Sequence, residues 1–422
     1  MIARAKALLN TKSEFRKNIF VLLTGTGIAQ AIPILISPIL TRIYSPGDFG
    51  IFGLYSACAA ILSVFATGRY DLSIIEPKKD TDARLLMLLS LYISVFFSCM
   101  LFLIVVLFNG PITNVLGDPR ISIWLYSLPL TVFAVSCFSV FSYWMNRKKM
   151  YKEMSMNRVV SSVSISSFSL GLGFIKAISG GLIVGYILGQ FFTVLLLRNR
   201  LLKTDYKLKW KRSLVIMKQY IHYPKYLIPA TLAGEIAINL PIVLVTGYFN
   251  AVITGFFSFA NKVTALPISF IGNAIGEVYR QKAAEEYANN GNCKALFLKT
   301  VRQLALLGIL PFTVLFFFGE ILFSFVFGPD WIIAGQIAKY LSFLIYFQLV
   351  STPLALTITF NKSQKYDMML QFFRGTFSIL SMYLGYRYND YMLSIKLYSL
   401  TFSLYYITHS FLQYRAARGV SV

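Results

Sequence analysis

Histidine is nearly absent from this sequence: only His222 and His409 occur, too few for a histidine-based metal site. Four cysteines, Cys58, Cys99, Cys137 and Cys293, show no Cys-x-x-Cys spacing, and three lie inside apolar runs, so they read as small buried hydrophobes. No Gly-x-x-x-x-Gly-Lys-Ser/Thr or Gly-x-Ser-x-Gly string is present, which removes the common ATPase and hydrolase signatures. Charge is also scarce. Only 14% of the 422 residues are charged, against about 25% in a soluble globular chain. Acidic residues are the rarer sign: 17 Asp+Glu stand against 40 Lys+Arg, a net charge of +23. What fills the space is apolar, 56% of all residues. That balance excludes a disordered chain, a disulfide scaffold and almost any soluble enzyme, and it points to a polytopic membrane protein. Whether +23 means nucleic acid or membrane topology depends on where the positive residues lie.

A spanning helix needs about 20 mostly apolar residues. Runs of that kind cover 18–41, 49–68, 85–108, 121–144, 159–176 and 180–197 in the first half. In the second half they cover 226–248, 252–276, 300–318, 338–360, 368–386 and 391–412. The first run follows five basic residues like a signal peptide, but its apolar stretch is too long and lacks an Ala-x-Ala site, so it counts as a span. With the N-terminus placed inside, 31 of the 40 Lys+Arg fall on the cytoplasmic side. Four (Arg42, Arg120, Lys176, Arg387) fall outside, and five lie within spans. This is a strong positive-inside asymmetry, so both termini are expected in the cytoplasm and nucleic acid is excluded as a partner. The formal glycosylation sequon Asn361-Lys362-Ser363 falls on the cytoplasmic side and is discarded. The segments 109–120 and 319–337 read as the longest external loops, the second lying at the membrane interface through its aromatics and Gly328-Pro329-Asp330-Trp331. With no room for a soluble domain on either side, function must sit among the helices.

The basic segment 198–225 divides the spans six and six. The expected organisation is a bundle over 1–197, a lipid-facing linker over 198–225 and a second bundle over 226–422. A shift of 205 residues places Gly50 on Gly255 and Gln30 on Glu235, which supports an internal repeat. The fold class is therefore an all-α polytopic membrane protein, about twelve transmembrane helices in two six-helix bundles around a central cavity, with both termini cytoplasmic.

The string Leu40-Thr41-Arg42-Ile43-Tyr44-Ser45-Pro46-Gly47-Asp48-Phe49-Gly50-Ile51-Phe52 resembles the first-loop signature of the polysaccharide flippases. These are the Wzx-type O-antigen translocases of the multidrug/oligosaccharidyl-lipid/polysaccharide exporter superfamily. Gly68-Arg69-Tyr70-Asp71, Ala260-Asn261-Lys262-Val263 with Leu266-Pro267, and Val326-Phe327-Gly328-Pro329-Asp330-Trp331 with Ala334-Gly335 are similar to further family motifs. The resemblance implies movement of an undecaprenyl-diphosphate-linked oligosaccharide to the periplasmic leaflet of the bacterial inner membrane. It also implies a cationic cavity to which Lys262 belongs. Membrane lipids, the O-antigen polymerase and a chain-length regulator are the implied partners.

Charge inside a span is expensive, about 2.5–3.5 kcal/mol at the centre, and defaults to function. Glu235, Lys262 and Arg374 lie roughly 9–15 Å deep at about 1.5 Å per residue. Lys262 and Arg374 are expected to hold the diphosphate, Arg through its fork and Lys as a point charge. Arg302 is a further substrate-binding candidate, although it, Lys339 and Lys396 lie shallow enough to reach the interface. Glu235, with Gln30 as its repeat equivalent, is the candidate for H⁺ or Na⁺ coupling, or else an ion-pair partner of Lys262. Arg69, Asp71 and Glu76 sit where the second span meets the cytoplasm and form a candidate gate, or a solvated helix end. Prolines within the spans (Pro33, Pro38, Pro129, Pro229, Pro241, Pro267 and Pro353) allow kinks suited to rocking. No cofactor beyond a coupling ion is expected and the chain is not read as an enzyme. An ion-coupled multidrug antiporter and a membrane-embedded O-antigen polymerase or ligase remain the alternatives.

Overall fold

The computed structural model describes residues 2–175, 180–201, 210–266, 268–360 and 364–419. The sequon 361–363, Lys176, Pro267 and linker residues 202–209 fall outside them. The described residues form helices and turns with no strand. The main elements are α1 (Ile2–Ile43), α2 (Pro46–Ala66), α3 (Asp80–Leu116), α4 (Leu128–Arg147), α5 (Tyr151–Phe174) and α6 (Gly181–Leu201). After α7 (Trp210–Gln219) come α8 (Ile228–Tyr248), α9 (Ala251–Thr264), α10 (Asn273–Asn290), α11 (Lys294–Phe327), α12 (Ile332–Ser351), α13 (Gln364–Arg387) and α14 (Tyr391–Ala417). Where their residues are described, the twelve apolar runs fall on these helices or on consecutive helical segments and turns.

Among the described residues, eight helical segments are long and apolar enough to cross a membrane unaided; they include α1–α4, α6, α8, α11 and α12. The remaining runs fall on α5, α9, α13 and α14. These helices carry serine, threonine and tyrosine in their interiors, which lowers their hydropathy without preventing burial. In α5, Ser155, Ser161, Ser164, Ser166 and Ser169 are all buried. In α14, Ser394 donates to the Met382 carbonyl at 3.2 Å and Ser399 to the Tyr340 carbonyl at 2.5 Å. Hydroxyls that bond neighbouring carbonyls let helices pack closely within a membrane bundle.

The helices outrun their apolar runs, which corrects the loop assignments at 109–120 and 319–337. α3 continues to Leu116, with Pro111 accommodated at a kink where Phe108 adopts φ −122° and ψ 21°, and α11 continues to Phe327. Helical hydrogen bonds close within the backbone, so a helix runs through polar or glycine interruptions such as Asn109-Gly110 and Gly319-Glu320. Trp331 is no interfacial residue either: it is fully buried in an aromatic core.

The chain divides into two compact units, residues 1–44 with 54–240, and residues 45–53 with 241–422. In the first, α5 packs against α1 and α6, while α4 packs against α3 and α6. In the second, α12 packs on α9, α11 and α14, and α14 packs on α13. The amphipathic α7 belongs to the first unit. There Ile216 and, just beyond the helix, Tyr220 pack with Tyr70, Ile74 and Leu86, Arg212 pairs with Asp82 at 2.5 Å, and Tyr70 donates to the Met217 carbonyl at 3.1 Å.

At the same basic end, Asp80 opens α3 between Lys148 and Arg147, the latter at 3.0 Å. Those two cations, Lys148 foremost, hold the Asp80 carboxyl below the usual carboxylate range. A depressed folded value means the stabilisation is fully present above the unfolded value of about 3.9 and is lost progressively as pH falls through the lowered folded value. We expect Asp80→Asn to lower the melting temperature at pH 7 and to lower it by less at pH 3. The difference should shrink in high salt because the pair is exposed; thermal unfolding in detergent at the two pH values checks this.

All four cysteines are free thiols: Cys137 and Cys293 are buried, Cys58 is half-buried and Cys99 is exposed. Burial pushes the Cys293 thiol up, which keeps it unreactive.

Candidate functional site

The first-loop signature turns out to be architectural. Tyr44 is buried and its hydroxyl donates to the Ser169 carbonyl at 2.8 Å, fixing the end of α1 on α5. Ser45 and Asp48 form a reciprocal cap on α2. The Asp48 amide donates to Ser45 Oγ at 3.2 Å and the Ser45 amide to Asp48 Oδ2 at 3.0 Å, with Pro46 following as the first helical residue. Phe49 then packs edge-on against Phe259 and Trp331, with centroids 5.4 and 5.0 Å away. Gly50 permits a backbone crossing: a Cβ there would lie 1.7 Å from the Ala251 carbonyl oxygen, and one at Gly255 would lie 1.8 Å from that of Pro46. Gly53 similarly faces Ser258. Each of these pairs, Pro46 with Ala251, Gly50 with Gly255 and Gly53 with Ser258, is separated by the 205 residues of the repeat shift. The contact is therefore reciprocal under that shift.

The gate candidates separate by environment. Gly68 and Arg69 both take left-handed backbone angles, with φ 58° and 59°, and this sharp turn sends Asp71 into the first unit. Asp71 is 1% exposed and accepts hydrogen bonds from Thr67 and from Ser139 on α4, each at 2.8 Å. The Thr67 hydroxyl also accepts the Arg69 amide, at 3.2 Å. Asp71 therefore ties the α2 end to α4, while the Arg69 Nε is buried without a partner among the described residues. Glu76 is exposed and accepts from the Tyr223 hydroxyl at 3.0 Å, across the linker. Arg69 and Asp71 form one structural knot and Glu76 belongs to the linker contact.

Gln30 is exposed in the middle of α1, and Glu235 is half-buried in α8, where Asn239 Nδ2 donates to its carboxylate at 3.0 Å. Lys262 is exposed near the end of α9, just before the helix breaks at Ala265. Within its own unit Lys262 has no ion-pair partner among the described residues. Arg302 is exposed in the third turn of α11, which begins at Lys294, earlier than the apolar run. Lys339 and Lys396 lie over the Phe316 and Tyr340 rings.

Arg374 on α13 is half-buried, with its guanidinium 5.0 Å from the Tyr405 ring centroid and 5.6 Å from that of Phe402. It opens on a cleft of about 260 Å³ lined by Phe373, Phe377, Thr401 and Leu404. Beside it lies a cluster that sequence reading missed. Asp367 accepts from or shares a proton with His409 Nε2 at 3.0 Å, and His409 Nδ1 lies 2.8 Å from Ser351 Oγ and 2.9 Å from Gln413 Nε2. Asp367 and His409 are 42 positions apart, so spacing gave no hint; the rarity of histidine was the only available signal. Arg158 was also overlooked, because it falls just before an apolar run. It lies two turns inside α5 and donates to the Thr26 hydroxyl on α1.

The comparisons agree with this architecture. Residues 39–336, more than half of the chain, match the model of a family described as polysaccharide biosynthesis proteins. Among solved structures, the chain is similar to an inward-facing multidrug resistance MATE family transporter of the MOP superfamily, with a TM-score of 0.67 at 11% identity, covering 93% of each chain. It is also similar to the lipid II flippase MurJ in an inward closed conformation, with a TM-score of 0.64 at 14% identity over 95% of this chain and 87% of that one. A MOP superfamily transporter from Pyrococcus furiosus gives 0.56 at 14% identity over 94% of each. At such identities the likeness speaks for the fold. No curated protein matches by sequence comparison. With its matched span reaching from the end of α1 into α12, on a fold similar to those of MATE and MurJ, the chain belongs to the polysaccharide biosynthesis protein family.

Proposed function

We propose that this protein is a flippase that carries an undecaprenyl-diphosphate-linked oligosaccharide, an O-antigen or related surface-polysaccharide unit, from the cytoplasmic to the periplasmic leaflet of the bacterial inner membrane. The observation that carries the reading is the polysaccharide-family match on a fold similar to that of MurJ, whose own cargo is lipid II. The chemistry agrees with an anionic cargo. Two deep cations, Lys262 and Arg374, stand against the single deep acid Glu235, whereas an exporter of cationic drugs would favour anionic lining residues. In this reading the basic ends of the units face the cytoplasm, with both termini there, and the halves rock in alternating access. Outward movement of each negative charge gains about 2.3 kcal/mol per 100 mV of inside-negative potential.

The test is complementation of a strain that lacks its O-antigen flippase and accumulates undecaprenyl-linked units in the inner leaflet. The wild-type chain should restore surface polysaccharide. Lys262→Ala and Arg374→Ala should each reduce it by about tenfold or more at equal protein level, since a hydrogen bond to a charged group is worth about 1.5–3 kcal/mol. Full surface polysaccharide in both variants would remove these residues from cargo binding. Restored drug export without restored polysaccharide would favour the antiporter reading.

A further inference from the structure

We propose that Arg158 is a cargo-binding residue of the first unit, its guanidinium holding the lipid-linked diphosphate while the Thr26 hydroxyl fixes it in place. The assignment rests on the flippase reading above and names a residue that holds its cargo.

The five Lys+Arg that fall within apolar runs (Lys262, Arg302, Lys339, Arg374 and Lys396) all belong to the second half of the chain. Both halves of a repeat-built carrier contribute to binding, and Arg158 gives the first half a cation that the linear sequence hides. It precedes the apolar run 159–176, yet α5 already begins at Tyr151. Positions 155, 158 and 162 share one face of α5 at helical spacing, and that face packs on α1. A Cβ at Gly25 would lie 1.6 Å from Ser155 Oγ, and Ser162 donates to the Ala29 carbonyl. Between these contacts Arg158 Nη1 donates to Thr26 Oγ1. Thr26 lies eight residues into the run 18–41, about 12 Å at about 1.5 Å per residue. The guanidinium is therefore held at a depth comparable to that of Lys262 and Arg374 in their own spans.

No described acid is paired with it. None of the ion pairs among the described residues involves Arg158. Of the acids in its unit, Asp80 is paired with Arg147 and Lys148, Asp82 with Arg212 and Asp118 with Arg120. Glu153 lies five residues earlier on α5, about 140° round the helix. Gln30, one turn beyond Thr26 on α1, is exposed and neutral where the repeat shift places Glu235. A desolvated charge is costly unless it is paired, and a hydroxyl is a dipole without charge.

The hydrogen bonds select the missing partner. The Thr26 hydroxyl gives its own proton to the Leu22 carbonyl at 2.7 Å, so its oxygen faces Arg158 as an acceptor and ties down Nη1. Arg158 Nε and Nη2 have no partner among the described residues. That edge of the guanidinium presents parallel N–H groups that match two oxygens of one phosphate. Gln30 adds an amide donor and acceptor on the same face of α1, suited to the sugar hydroxyls beside a diphosphate.

The test titrates the full-length protein in phosphatidylcholine nanodiscs with undecaprenyl diphosphate, with undecaprenol and with phosphatidylglycerol, reading thermal stabilisation and apparent affinity. Wild type should bind the diphosphate and gain little from undecaprenol. Arg158→Gln should weaken diphosphate binding by about tenfold or more, as expected for a bond to a charged group, and leave the undecaprenol response unchanged. Arg158→Lys should recover part of the loss, because it keeps the charge without the fork. Thr26→Val should cost only about threefold, since the cation stays and a single tether goes. A mere strut between α1 and α5 predicts otherwise: Arg158→Gln and Thr26→Val would lower the ligand-free melting temperature equally and keep diphosphate affinity. If Arg158→Gln does not fold, Arg158→Lys carries the comparison, with a loss of about threefold or more. Equal diphosphate affinity in wild type and the Arg158 variants overturns the proposal. So does an equal, Arg158-dependent gain from phosphatidylglycerol, which would mark a phospholipid headgroup site. A wild-type chain that does not bind undecaprenyl diphosphate overturns the flippase reading together with this one, so the two failures are told apart.

Discussion

Gly50→Ala is expected to be among the most damaging single-methyl additions in the protein. A Cβ at residue 50 would stand 1.7 Å from the Ala251 carbonyl oxygen and 3.0 Å from the Gly255 amide nitrogen. Both obstacles are backbone, so no rotamer change relieves the clash and the two helices must separate. Overpacking typically costs about 1–3 kcal/mol when side chains can adjust, and this contact belongs at or above the upper end. Gly255→Ala should cost a similar amount, since its Cβ meets the Pro46 carbonyl oxygen at 1.8 Å. The double variant should cost much less than the sum, because the first alanine already opens the crossing. Thermal unfolding of the three variants in detergent checks this. Additive losses would show that the residues do not share one contact.

Trp331→Ala is the second large effect. Trp331 is 0% exposed, with its ring 5.0 Å from Phe49, 5.8 Å from Phe256 and 4.6 Å from Phe259. It follows Gly328, whose φ of 110° and ψ of 161° suit glycine, so the chain is bent there to insert the indole. Truncating a buried aromatic costs about 3–5 kcal/mol. The control is Phe325→Ala, six residues earlier on α11, where the ring is 82% exposed. It should shift the melting temperature far less, although both are aromatics in the same apolar stretch. Equal losses would mean that Trp331 does not anchor this core.

Much of the fold was legible because membrane insertion is a local, additive property of the side chains. Twelve apolar runs correspond to helical segments, and the motif around Tyr44 to Gly50 carried its own capping residues, proline and glycines. The helix extensions at 109–116 and 319–327 were not legible, since the polar and glycine positions Asn109-Gly110 and Gly319-Glu320 read as loop starts, whereas helical backbone bonds run through such interruptions. The site was less readable than the fold. Depth along a run singled out Lys262 and Arg374, yet gave no neighbours. Asp71, grouped with Arg69 and Glu76 by adjacency, is buried between Thr67 and Ser139, while Glu76 turns to Tyr223.

By itself the sequence determined that this chain is helical, crosses a membrane many times and concentrates its positive charge in the segments between spans. Hydropathy and charge act on each segment independently of its partners. Only the tertiary structure decided that Gly50 meets Gly255, that Trp331 fills a core and that Asp367 finds His409. Those pairings depend on which faces of distant helices come together, and a linear pattern of apolar runs leaves that choice open.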